Sequence, residues 1–262
     1  MAAPDPLEPE VIAAALAGTP FAGNLHHFAT IGSTNTHALE QAKQGAPHGS
    51  SYLADEQTAG RGRSDHRWHS AACAGLYLSV LLRPQIAMAD LVWLPLMAGL
   101  AVHRAIQEVT GLAPDQIDLR WPNDILIGPR KVAGILVEAQ TDSNRVTAAV
   151  IGIGINLHQR EFPPDLATPA TSLDLETGLT VSRQQLLIAL LQALHAEITA
   201  FDAAAIPDRI EAISSWVRGR RVQVHGPQQL SGETAGLDPQ GFLRLRTSEG
   251  LVTITTGGLR EG

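Results

Sequence analysis

The chain has 262 residues, 44% hydrophobic and 17% charged, with a formal net charge of −7. That length can bury a substantial core in one large domain with room for a small second one, and the acidic balance excludes a nucleic-acid partner held by bulk positive charge. The single cysteine, Cys73, excludes an internal disulfide framework; no apolar run is expected to span a membrane, and the acidic start is unlike a secretory signal, so a soluble cytoplasmic protein is the default.

Residues 10 to 18 are alanine-rich and read as a short helix ended by Gly18. In Ile31-Gly32-Ser33-Thr34-Asn35-Thr36, one of Ser33, Thr34 and Asn35 is placed to cap the helix that follows, with Ala38, Leu39 and Ala42 on its apolar side. Such a helix start, with free hydroxyls and amides, can also hold a polar ligand group. Ser51 to Ala54 reads as a short strand leading to Gln57 and then to Gly60-Arg61-Gly62-Arg63-Ser64-Asp65-His66-Arg67-Trp68. Glycine lets a backbone approach a ligand closely. Arginine presents a planar fork of donors that fits phosphate and carboxylate. The stretch suggests a mobile loop that orders around an anion; taken alone, a solvated basic loop is the safer reading.

Gly75 to Leu82 is a continuous apolar run, the pattern of a buried strand. A long helix follows over 90–109, closed by Gly111. Pro95, in its early part, either delays its start or kinks it. Ile117 to Trp121 leads through Pro122-Asn123-Asp124 into Ile125-Leu126-Ile127. Strands over 131–139 and 146–157 follow the Gly128-Pro129 turn. This order fits an α+β fold, a mixed sheet covered by helices on one face, better than strict alternation. Helices are expected over 182–201 and 207–217. Beyond Gly219, short strands at 222–224, 242–245 and 251–254 alternate with turn signals and predict a compact β-barrel. The division is 1–218 and 219–262.

The chain carries 17 arginines and two lysines, Lys43 and Lys131. Where any cation would serve, it has arginine. A retained lysine then marks a place where a guanidinium will not do. Lys43 lies in a polar stretch and reads as incidental; Lys131 follows Arg130 directly, so the pair gives the contrast.

Five segments stand in order: Ser33-Thr34-Asn35; Gln57 with Gly60-Arg61-Gly62-Arg63 and Trp68; Arg120-Trp121-Pro122-Asn123-Asp124; Lys131 to Glu138; and Gly152-Ile153-Gly154-Ile155-Asn156. Together they resemble the biotin–protein ligases from about Ile31 to Asn156, with a weaker likeness down to Gly257-Gly258-Leu259-Arg260. About two dozen residues precede the first motif, too few for a helix-turn-helix module, so the resemblance is to the shorter, ligase-only type. It implies a class II synthetase-like catalytic domain and an SH3-like C-terminal barrel. It also implies ATP-dependent conversion of biotin to biotinyl-5′-AMP, with Mg²⁺ accompanying ATP. Transfer then follows to a lysine of a biotin carboxyl carrier protein or domain. Bringing a carboxylate onto a polyanion needs fixed cations, and biotin, an apolar bicycle with a polar ureido edge, needs an apolar pocket with few polar contacts.

The resemblance places Arg61 and Arg63 over the intermediate and Lys131 at the carboxylate and α-phosphate oxygens. It puts Ser33, Thr34, Asn35 and Gln57 at the ureido edge, with Gly60, Gly62 and Gly134 allowing close backbone approach. Asn123 and Asn156 come near the nucleotide phosphates. Trp68 walls the site or is a plain core tryptophan; Asp124 orients or deprotonates the incoming lysine, or is a turn residue after Pro122. One departure stands out. The family loop usually reads G-R-G-R-x-G-R-x-W, and here Asp65-His66 takes the place of the second G-R. The lower local positive charge predicts a looser hold on the adenylate; equal release rates from the wild type and from Asp65→Gly/His66→Arg would refute it.

His66, His69 and Cys73 lack the spacing and the fourth ligand of a metal site, so no metal is expected there. A lipoate ligase or octanoyltransferase on the same fold lacks the arginine loop paired with Arg-Trp-Pro-Asn-Asp. A non-catalytic biotin sensor would not need both Lys131 and that loop. An exposed sheet edge would allow two copies to pair as a weak homodimer.

Overall fold

The computed structural model describes residues 6–63, 66–227 and 229–262. At its centre is a seven-stranded mixed sheet. Its strands are β1 (Leu25–Ile31), β2 (Ser51–Gln57), β3 (Gly75–Leu82), β4 (Ile117–Arg120), β5 (Asp124–Ile127), β6 (Arg130–Asp142) and β7 (Arg145–Asn156), in the order β1-β2-β3-β7-β6-β5-β4. β1 and β2 run parallel; the other neighbours are antiparallel. Among the described residues the helices are α1 (Pro9–Ala15), α2 (Thr34–Lys43), α3 (Trp93–Thr110), α4 (Leu173–Thr177), α5 (Arg183–Thr199) and α6 (Ile206–Ala212), with short 3₁₀ turns over Met88–Val92 and Pro114–Gln116.

Helices cover both faces of the sheet, which corrects the expectation of one. α3 and α5 pack together on the first face with Leu53, Val80 and Ile151. α2 lies on the second, setting Ala38 and Ala42 against Tyr52, Leu81 and Val150. Successive strand residues point to opposite faces, so Tyr52/Leu53, Val80/Leu81 and Val150/Ile151 serve the two layers in turn. β3 is buried along its whole length for this reason.

Of the two roles open to Pro95, the later start holds. α3 begins at Trp93 and Pro95 lies in its first turn, where no helical partner awaits an N–H. One helical stretch, Met88–Thr110, is in fact long and apolar enough to cross a membrane by length and composition, contrary to expectation. Its apolar surface is explained by the core: 67% of the most apolar window is buried, against the sheet and α5. The helix expected over 207–217 ends at Ala212. Residues 213–215 run instead along the outer edge of β4, where Leu119 N–H donates to the Ile213 carbonyl (3.1 Å) and Ser215 N–H to Asp118 (2.9 Å).

The C-terminal part is a five-stranded antiparallel sheet of β8 (Arg218–His225), β9 (Leu230–Leu237), β10 (Leu243–Thr247), β11 (Gly250–Ile254) and β12 (Gly258–Glu261), in the order β11-β10-β9-β8-β12. It is docked on the larger sheet's side. The Trp121 indole donates to the Gly241 carbonyl (3.4 Å), and Gly241 sits so close to the Trp93 ring that a Cβ there would meet it at 2.8 Å.

Candidate active site

Strand register lays the site out in rows on the α2 face. One row runs Tyr77, Gly154, Gly134, Asp124 through β3, β7, β6 and β5. The next is Ser79, Gly152, Leu136, and the third Leu81, Val150, Glu138. α2 packs over Leu81 and Val150, and its N-terminal residues line the cavity that opens over the first two rows. Ser33 is the N-cap: its hydroxyl accepts from Thr36 N–H, and Thr34 and Asn35 open the helix, all three nearly fully buried. The cavity is narrow in this structure, about 50 Å³, well under the about 300–1,000 Å³ of a typical small-molecule site.

Ser33, Thr34, Asn35, Gln57, Arg61, Gly62, Arg63, Trp68, Asn123, Lys131 and Gly134 all line this one cavity. Residues 60–63 and 66–68 run back along each other: Trp68 N–H donates to the Gly60 carbonyl (3.0 Å), Gly62 N–H to His66 (2.7 Å), and Arg61 bridges Arg67. Gly60 lines a neighbouring cleft and is absent from the cavity wall. Asp65 lies outside the described residues. The Trp68 ring rests on two glycines paired directly across β6 and β7. A Cβ would come within 2.8 Å of it at Gly134 and 2.4 Å at Gly154. Trp68 is therefore a wall of the site.

The polar end of the cavity is a connected network. Thr34 donates to Gln57 Oε1 from its N–H (2.8 Å) and its hydroxyl (3.0 Å), and Gln57 Nε2 donates to Ser70 (2.9 Å). Ser79 Oγ lies 2.8 Å from Thr34 Oγ1 and 3.0 Å from Asn35 Oδ1.

At the other end are the cations. An irregularity in the β5–β6 pairing between Ile125 and Leu126 brings odd-numbered Lys131 to the same side as Gly134. Lys131 Nζ lies 2.5 Å from Asp124 Oδ1 and 5.3 Å from the centre of the Trp68 ring. Arg120 Nη2 takes the second oxygen, Asp124 Oδ2, at 2.7 Å, and also donates to Thr168. Burial pushes the Asp124 carboxyl up, but the charges and hydrogen bonds of Lys131 and Arg120 outweigh that and hold it below the usual carboxylate range. Asp124 thus stands behind Lys131, not on the cavity wall. Arg63 Nη1 donates to two neutral acceptors, Asn123 Oδ1 (2.9 Å) and the Gly257 carbonyl (3.0 Å). Its burial draws the guanidinium below its ordinary value, against the opposing pull of Asp124. Asn123 is itself fixed by donating to Ile135 O (2.8 Å).

Asn156 is also off the cavity wall. Its buried amide donates to the Thr171 carbonyl (2.9 Å), and Thr171 N–H donates to the Lys131 carbonyl. Through that segment it braces the Lys131 backbone.

The constellation has known counterparts. The family model described as biotin/lipoate A/B protein ligase matches residues 27–156, and the biotin protein ligase C terminal domain matches residues 218–257. The biotin–[acetyl-CoA-carboxylase] ligase of Mycobacterium tuberculosis is 34% identical over 238 residues, covering 87% of this chain and 85% of its own. The chain belongs to the biotin–protein ligases. The bifunctional ligase/repressor BirA of Bacillus subtilis is 36% identical over 239 residues, 88% of this chain and 72% of its own. Among solved structures, the Aquifex aeolicus biotin protein ligase in complex with biotin and ATP is similar with a TM-score of 0.76 at 30% identity, covering 91% of this chain and 99% of that one.

For a biotin–protein ligase, sequence reasoning missed several residues of the cavity and its support. Tyr77 and Ser79 line it from β3. Period-2 alternation puts both on one face, but in a continuous apolar run they read as core. Arg120 sits within a quoted motif, and only the fold shows it gripping Asp124. Glu138, at the end of another, had no visible partner in the text.

Proposed function

We propose that this chain attaches biotin to a lysine of a biotin carboxyl carrier domain in two ATP-dependent steps through biotinyl-5′-AMP, as its family membership implies. The observation that carries the reading is that Lys131, Arg61 and Arg63 line one cavity, with Lys131 and Arg63 at the end opposite a fixed polar network. Biotin's bicycle lies over Trp68, with its ureido edge toward Thr34, Asn35, Ser79 and Gln57. Its carboxylate points to Lys131, whose compact ammonium fits between a carboxylate and an α-phosphate oxygen. The carboxylate attacks the α-phosphate, the anhydride forms, and pyrophosphate leaves.

Arg63 suits the phosphates. A half-buried guanidinium that among the described residues donates to neutral acceptors keeps its charge for an incoming anion. Asp124 we assign to holding Lys131. A carboxylate gripped by two cations, with a lowered pKa, is a poor base for a lysine ammonium. Asn156 we assign to bracing the Lys131 backbone, in place of contact with the nucleotide. Mg²⁺ would enter on the ATP phosphates; among the described residues no group of three or more His, Cys, Asp or Glu side chains is placed to hold a metal.

The division at 218/219 and the closure of the C-terminal sheet into an SH3-like barrel complete the reading, with a carboxylase's carrier domain as partner and the cytoplasm as location. Neither nucleic acid nor membrane is needed. A weak homodimer would form along β1, an edge of the large sheet whose opposite edge, β4, is occupied by residues 213–215. The test is incubation with ATP, labelled biotin or lipoate, and a carrier domain. Biotin label is expected on the carrier, reduced by roughly 100-fold to 1,000-fold in Lys131→Ala. Lipoate label, or label unchanged in the variant, would sink the reading.

A further inference from the structure

Glu138 lies one row beyond the cavity and holds two of its walls at once. Its Oε2 accepts from Arg61 Nη1 (2.8 Å) and from Asn35 Nδ2 (2.7 Å), and its Oε1 from Arg61 Nη2 (2.9 Å). Arg61 is thereby gripped by both prongs. The consequence for Asn35 follows from donor and acceptor chemistry. An ionised carboxylate only accepts, so the Asn35 amide must turn its nitrogen to Glu138. Its oxygen is then forced the other way, toward Ser79 (3.0 Å) and Gly152, where a Cβ would meet it at 2.3 Å. Both of those residues line the cavity. Ser79 has one hydroxyl proton and faces two acceptor oxygens, Thr34 Oγ1 and Asn35 Oδ1, while the Thr34 proton is directed to Gln57. One proton cannot serve both. The network is therefore one donor short at the cavity wall.

We propose that Glu138 is a positioning residue for biotin recognition. By fixing the Asn35 amide it turns an acceptor oxygen into the cavity, ready for a ureido N–H, and by gripping Arg61 it anchors the residues around Arg61 over the same ligand. This rests on the biotin reading above. Replacing the carboxylate with a group that also donates lets the Asn35 amide turn over and present its nitrogen, which repels an N–H donor.

The experiment measures affinity by calorimetry on the full chain for biotin and for biotin methylated on both ureido nitrogens. The wild type is expected to prefer biotin strongly. In Glu138→Gln that preference shrinks by about ten-fold, the size of one hydrogen bond to a charged network, while the thermal midpoint stays close to wild type. Trypsin is also expected to cut after Arg61 faster in the variant. If Glu138→Gln does not fold, Glu138→Met, similar in shape and unable to accept, takes its place with the same expected loss of preference. A folded variant with the wild-type preference overturns the role of Glu138. A wild type that binds neither compound overturns the biotin reading beneath it.

Discussion

Lys131 and Asp124 form the most tightly bound ion pair of the site, and each partner sets what the other can do. The Asp124 side chain is 16% exposed and has both oxygens taken by cations. Removing its charge leaves Lys131 and Arg120 uncompensated, at a cost of about 3 kcal/mol at neutral pH. Because the folded carboxyl lies below its unfolded value, the stabilisation is complete above about pH 4, the ordinary aspartate value. It is lost as the pH falls through the lowered folded value. Asp124→Asn should therefore be less stable than wild type at pH 7, and the gap should close in acid. Denaturation midpoints across pH test this, and two parallel curves would exclude it. Adenylate formation should also fall, by roughly 100-fold, as the ammonium loses its fixed position. Residues of this kind were only half legible in the sequence. Lys131 stood out because the chain otherwise uses arginine. Asp124 was visible as a residue, but its role depended on the tight hairpin that pairs it with Arg120, four residues earlier, and on Lys131 reaching it from the next strand.

At the scale of elements, β6 and β7 make the floor of the site by omitting side chains. Gly134 and Gly154 face each other across the ladder and give room for a tryptophan ring carried by a different segment. Gly154→Ala would place a methyl group 2.4 Å from that ring. Either the strand or the ring must move, at a cost of about 1–3 kcal/mol. Biotin affinity is expected to drop by at least about ten-fold, and the near-ultraviolet dichroism of Trp68 to change. The change should be missing when the same substitution is made in a Trp68→Phe background. Unaltered affinity and spectrum would show that the ring does not lie over the glycines. The strands built from apolar runs, β3, β6 and β7, were legible in advance because burial on both faces writes itself as continuous hydrophobicity. β1 was not: Leu25–Ile31 is a half-exposed edge with two adjacent histidines and no regular alternation. β9 was hidden too, since its two glycines and polar residues read as loop.

For the whole molecule, the consequential contact is the one by which the C-terminal sheet enters the active centre. Arg63 donates to the Gly257 carbonyl, at the junction between β11 and β12. The sheet is held from below by Trp121 and Trp93 on Gly241, so the position of that carbonyl is set by how the two parts of the chain dock. Gly257 has φ +129, a conformation that side chains rarely adopt, and a Cβ there would meet the His225 carbonyl at 2.7 Å. Gly257→Ala must displace this junction and with it one of the two acceptors that fix Arg63. The polar network around Thr34, Gln57 and Ser79 lies at the other end of the cavity and is untouched. Biotin should therefore bind the variant within about two-fold of wild type, while biotinyl-5′-AMP, whose phosphate the proposed function assigns to Arg63, should leave about ten-fold faster. Rapid-mixing release of the pre-formed adenylate, set beside calorimetry with biotin alone, separates the two. Equal release rates would mean that the C-terminal sheet only rests against Arg63. A parallel loss of biotin affinity would mean that the substitution has damaged the fold at large, and in neither case would the sheet act through Arg63 on the intermediate.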